Sequence, residues 1–108
     1  MLNNTENNLP TWIFFSNVDA TLVNESARQL LVWSGESFGR LLRSTENILN
    51  ALMTNDHRLT KESVVELIGL LGSCVGSNPY PPPDTRSLFT DCIMVLSRYL
   101  AQLPKDEI

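Results

Sequence analysis

Histidine occurs once in this 108-residue chain and cysteine twice. The single imidazole, His57, lies in a polar turn, and the spacing of Cys74 and Cys92 is not that of a zinc module, so no metal site is expected. No histidine accompanies a serine or cysteine, which leaves nucleophilic catalysis without its base. Glycine-rich phosphate loops and nucleophile elbows are missing as well, and the chain reads as a non-enzyme with no cofactor and no small-molecule substrate.

Basic residues are scarce: eight Lys and Arg stand against twelve Asp and Glu, for a net charge of -4 and a pI near 4.8. Affinity built on neutralising phosphates needs clustered cations, so nucleic acid is disfavoured as the main partner. No apolar run approaches the ~18 residues that a membrane span requires. The opening MLNNTENNLP lacks both the basic segment and the apolar run of a secretion signal. A cytoplasmic location without membrane partners is therefore expected. There, Cys74 and Cys92 read as reduced, buried thiols on two helices that could face each other, with a disulfide as the alternative.

What the chain does have is helical periodicity. A hydrophobic fraction of 43% and a charged fraction of 19% are ordinary for a globular protein. Residues 1–10 are polar and asparagine-rich and read as a flexible tail; residues 11–108 read as one helical domain. The fold class is all-α, a small bundle of about four helices at about 19–34, 36–53, 61–75 and 85–103. No strand pattern of any length is visible.

The best-marked stretch is Leu59 to Gly76. Thr60 is the natural N-cap of its helix, with Leu59 placed to staple onto Val64. Val64, Leu67, Ile68, Leu71, Cys74 and Val75 recur on one side of a 3.6-residue turn, which leaves Glu62 and Glu66 to solvent. Gly69, Gly72 and Gly76 each cost helix propensity of up to ~1 kcal/mol relative to alanine. Close approach of another backbone would justify them, either within the chain, against the last helix, or across a dimer seam.

Before that stretch, Thr11–Phe15 packs Trp12, Ile13, Phe14 and Phe15 into an apolar arm too short for an independent helix. It either lies across its own core or docks on a partner or a second copy. Asn17, Asp19 and Thr21 are competent N-caps for a first helix carrying Leu22, Val23, Ala27, Leu30 and Leu31, which Gly35 should interrupt. A second amphipathic helix follows, with Phe38, Leu41, Leu42, Ile48, Leu49, Leu52 and Met53 inward and Arg40, Arg43 and Glu46 outward. Thr54 to Arg58 reads as a turn.

After Gly76, four prolines at 79 and 81–83 bias the backbone to polyproline II, a stiff connector that no helix crosses. Pro79-x-x-Pro82 superficially offers an SH3-type ligand. Asp84 or Thr85 then caps a last helix on which Leu88, Phe89, Cys92, Ile93, Leu96, Tyr99, Leu100 and Leu103 recur until Pro104. Asn17-Val18-Asp19-Ala20-Thr21 has part of an aspartate phosphatase loop. That chemistry needs a second acidic residue and a preceding buried strand, which the sequence does not offer.

From about Ala27 to Leu103 the order of features resembles the small bacterial biofilm-development and acid-resistance regulators of the YmgB/AriR type. These are similar in turn to connector proteins acting on phosphorelay sensor kinases. The resemblance lies in a segment ending Trp33-Ser34-Gly35 and followed by Glu36, a helix ending Leu52-Met53, and a polar turn. It continues through Leu59-Thr60-Lys61-Glu62-Ser63-Val64-Val65-Glu66-Leu67-Ile68 and closes on Val95-Leu96-Ser97-Arg98-Tyr99-Leu100. The apolar arm and the proline-rich connector depart from that pattern. The resemblance implies an all-α homodimer that regulates stress and surface-growth programmes by binding protein partners, with DNA association also proposed for such proteins.

The expectation is thus a non-enzymatic bacterial regulatory or adaptor protein. Its partner-binding surface would combine Trp12, Phe14 and Phe15 with Arg40, Arg43, Arg58 and Lys61, since aromatic anchors and arginines most often carry interface energy. One alternative is a nucleic-acid-binding regulator, if those four cations cluster around the turn at 54–58. Another is a small acidic inhibitor of a basic partner, of phage or plasmid type.

Overall fold

The computed structural model describes residues 11–37, 39–76 and 81–103, apart from the side chains of 34–42. The expected tail at 1–10, Pro79, the residues after 103, and the side chains of Phe38, Arg40, Leu41 and Leu42 lie outside the described residues.

Four helices form among the described residues: α1 (Asn17–Ser37), α2 (Gly39–Thr54), α3 (Lys61–Val75) and α4 (Pro83–Ala101). The chain is helical, as its periodicity requires. Two short strands, β1 (Trp12–Phe14) and β2 (Arg58–Thr60), add what the periodicity does not show. No helix among the described residues is long and apolar enough to cross a membrane.

α3 begins as its sequence dictates. The Thr60 Oγ1 accepts the Ser63 amide at 3.2 Å, which satisfies one of the orphan donors of the first turn. Leu59 and Val64, on either side of that cap, are both fully buried, as a hydrophobic staple demands. Leu67, Leu70, Leu71 and Cys74 complete the inward face, with Ile68 and Val75 at its margin.

α1 starts from a cap the sequence does not single out. Ser16 Oγ accepts the Asp19 amide at 3.2 Å, ahead of the candidates Asn17, Asp19 and Thr21. The helix then continues through Gly35 to Ser37, so the expected interruption there is corrected. An interior glycine costs only ~1 kcal/mol, and packing of α1 on both α2 and α4 outweighs it. α4 likewise starts earlier than Asp84 or Thr85. Pro82 is its N-cap and Pro83 its first residue, with no side-chain cap. Proline suits that position because its missing amide is one the first turn leaves unused.

α1 packs on α2, α3 on α4, and α1 on α4. Between them lies a core of Val23, Ala27 and Leu30 from α1, Ile48 and Leu52 from α2, Val64, Leu67 and Leu71 from α3, and Phe89 and Leu96 from α4. Met53, expected inward, is instead 72% exposed.

The missed sheet closes this core at one end. β1 and β2 pair antiparallel with Trp12 opposite Thr60, Ile13 opposite Leu59 and Phe14 opposite Arg58. The Lys61 amide donates to Thr11 O at 2.8 Å and extends the ladder by one rung. Because side chains alternate across a strand, the Ile13–Leu59 pair points inward, 3% and 0% exposed. The arm therefore lies on its own chain through Ile13.

Close packing of Gly69, Gly72 and Gly76 on another helix of this chain is also corrected. A Cβ placed on Gly69 or Gly72 would meet nothing within 4 Å, and one on Gly76 would meet only Gly72 O at 3.7 Å. All three glycines face outward.

Candidate functional site

The alternation that sends Ile13 inward sends Trp12, Phe14 and Arg58 to the opposite face of the sheet. There the Arg58 guanidinium carbon stands 5.6 Å from the Trp12 ring centroid and 5.2 Å from that of Phe14. Both distances are within cation–π range. Phe14 remains 63% exposed, a large apolar ring held in solvent.

Arg58 is positioned from beneath. α2 ends with the His57 amide donating to Leu52 O at 2.7 Å, the six-residue closure of a Schellman motif. The motif needs a left-handed residue after the helix, and Asp56 occupies it at φ 57°, followed by His57 at φ 62°. Asn55 Nδ2 donates to Ala51 O at 2.9 Å. The Asn55 carbonyl in turn accepts both the Arg58 amide at 3.2 Å and Arg58 Nε at 2.8 Å. Two donors from one arginine converge on one carbonyl, so the guanidinium is held in place by its own turn.

His57 continues this surface onto α1. Asn24 Nδ2, which also donates to Ala20 O at 2.8 Å, lies 3.1 Å from His57 Nδ1. An open groove of about 490 Å³ runs beside this pair, lined by Asn17, Thr21, Asn24, Glu25, Arg28 and His57. A second, of about 320 Å³, lies between His57, Asp56, Arg58, Phe14 and Phe15. Both are shallow and mixed in polarity, unlike the enclosed apolar cavities that hold small ligands.

The residues expected at the partner surface divide into those brought together and those kept apart. Trp12, Phe14 and Arg58 form one cluster. Phe15 turns away from it, its ring edge-on to Tyr99 at 5.0 Å and 78°. Arg43 belongs to a different groove, of about 680 Å³ between α1 and α2, with Arg28, Glu46, Asn50 and Met53. At 1.5 Å of rise per residue it lies roughly 15 Å up α2 from the turn. Lys61 is exposed at the start of α3. Arg43 therefore does not join Arg58 at the turn, and the Arg40 side chain lies outside the described residues.

Asp19, in the partial phosphatase-loop pattern, is engaged within the fold. Although β1 precedes it, Asp19 sits in the first turn of α1 and its Oδ2 accepts the Tyr99 hydroxyl at 2.7 Å. Cys74 and Cys92 are buried thiols. Burial pushes both up to about 11, with the Ser26 hydroxyl opposing the rise at Cys92. Such thiols are protonated and inert at neutral pH. Among the described residues, no group of three His, Cys, Asp or Glu side chains converges on a metal-sized site.

Sequence reasoning placed the turn at Thr54 to Arg58 but not its left-handed geometry at Asp56 and His57, and it missed the Tyr99 tether. The turn had a visible signal, Asn55-Asp56-His57 directly after an apolar stripe; the tether, between positions 80 apart, had none. Comparison of the chain with protein-family models, with curated proteins and with solved structures finds no match.

Proposed function

We propose that this chain is a non-enzymatic regulatory or adaptor protein that works by binding a protein partner through the Trp12–Arg58–Phe14 face. The observation that carries this reading is the exposed Phe14 ring beside a guanidinium that is already oriented. Aromatic and arginine side chains supply most interface hot spots, and they cost least when ordered in advance. The resemblance to YmgB/AriR-type regulators supports a setting in bacterial stress and surface-growth control. An acidic chain whose Arg43 sits in a different groove from Arg58 supports a protein partner over nucleic acid.

The test is affinity capture from the cell of origin with the wild-type chain, Phe14→Ala and Arg58→Ala, alongside titration of duplex DNA. A protein retained by the wild type and lost with both variants supports the reading. DNA binding that falls steeply with salt, or capture indifferent to both substitutions, overturns it.

A further inference from the structure

The face described above belongs to a strand whose edge is also open. In the β1–β2 ladder the Lys61–Thr11 bond marks a hydrogen-bonded rung, and rungs alternate along an antiparallel pair. Ile13 therefore bonds to Leu59, whereas the N–H and C=O groups of Trp12 and Phe14 point away from β2. Among the described residues no backbone partner meets them, and β2 is the one element that packs substantially on β1. An apolar edge strand with neither charge nor proline in it is a template for another strand.

We propose that β1 pairs antiparallel with β1 of a second copy, about a two-fold axis through Ile13. This goes beyond the partner reading, since it concerns the backbone edge and not the outer face.

The strand is complementary to itself in this register. Trp12 stands opposite Phe14 of the second copy and Phe14 opposite its Trp12. All four residues carry outward N–H and C=O groups, so each pair exchanges two hydrogen bonds. Ile13 faces its own copy at the non-bonded position, where Cα atoms approach to about 4.5 Å. Residues directly opposite share a face, so each Trp12 ring lies beside a Phe14 ring, a favourable cross-strand pair.

Charge fits as well. Thr11–Ser16 contains no ionisable side chain, so a chain of net charge -4 brings no like charges together at this edge. Arg58, on the neighbouring strand, is presented by each copy to its own Trp12 and Phe14 rings. The result is a four-stranded sheet, β2–β1–β1–β2, whose outer face joins two Trp12–Arg58–Phe14 clusters into one surface.

Three residues per copy bury far less than the ~800 Å² per partner of a standard interface. The dimer therefore belongs to the weak class, with dissociation on the order of 10–100 µM.

Sedimentation velocity across that concentration range tests the proposal, with amide exchange read at Trp12 and Phe14. The expected result is a monomer–dimer equilibrium in which both amides gain protection as concentration rises. Phe14→Glu, which can still pair with Arg58 within its own chain, and Phe14→Pro, which removes one outward N–H, each weaken the dimer tenfold or more. Circular dichroism confirms that each variant is folded. Gly69→Ala, on the separate α3 face, leaves the equilibrium unchanged. A monomer at millimolar concentration overturns the proposal, and so does a dimer indifferent to both Phe14 substitutions. In the first case partner capture by the outer face would still stand or fall on its own test.

Discussion

Tyr99 donates its phenolic hydrogen to Asp19 Oδ2 at 2.7 Å, and its oxygen accepts the Ser16 amide at 3.0 Å. One side chain from α4 thus holds both the residue that caps α1 and the first turn it caps, while Phe15 packs edge-on to the Tyr99 ring. The tether fixes where the arm leaves the sheet. Tyr99→Phe keeps the ring and removes both bonds, and should cost about 1–3 kcal/mol, because a carboxylate and an amide lose a partner together. Thermal unfolding should shift down by about 4–8 °C per kcal/mol, with faster amide exchange at Ile13. An unchanged melting temperature would mean that solvent replaces the tether without loss.

Gly69 and Gly72 should be improvable. Neither has a neighbour that a Cβ would strike, and neither adopts positive φ. Gly69→Ala and Gly72→Ala should each stabilise the chain by about 0.5–1 kcal/mol through helix propensity alone. Chemical denaturation measures this, and a loss of stability would show that these positions make close contacts elsewhere.

Asp56 holds a left-handed conformation that glycine adopts without strain. Asp56→Gly should therefore raise stability by up to about 1 kcal/mol in thermal melts. The stabilised turn should keep the Arg58 amide protected, since its bond to Asn55 O does not involve the substituted side chain.

Alkaline pH should unfold the protein through its thiols. The folded values near 11 lie above the ordinary thiol value of 9.0, so the folded state holds protons that the unfolded state has lost. Their contribution is complete below about pH 9 and disappears as pH rises towards 11, at up to ~1.4 kcal/mol per thiol per pH unit. Denaturant midpoints measured between pH 8 and 11 should fall accordingly, and Cys92→Ala should flatten the slope. A slope that the substitution leaves unaltered would assign the alkaline loss to other groups.

The helices were legible because their spacing repeats over many residues, and Thr60 announced α3 by both its hydroxyl and the staple around it. The strands were not. Three residues are too few to show alternation, and Ile13 pairs with Leu59 across the whole length of α1 and α2 in sequence. Trp12, Phe14 and Arg58 were recognisable as interface chemistry from residue type, whereas their convergence depends on that non-local pairing. Phe15 looked equivalent to its neighbours, yet the strand ends at Phe14 and the next ring swings onto Tyr99. The glycines misled for the opposite reason: their propensity cost is visible in sequence, but the open space around them is not.

The central claim, that the outer face of the sheet receives a protein, is tested most directly by a photo-crosslinking residue at position 14 in the cell of origin, with the exposed Met94 as control position. The account expects discrete adducts at position 14 to a protein other than a second copy of this chain, lost on Arg58→Ala and missing at position 94. Adducts of equal yield at both positions, or none at position 14, would contradict it.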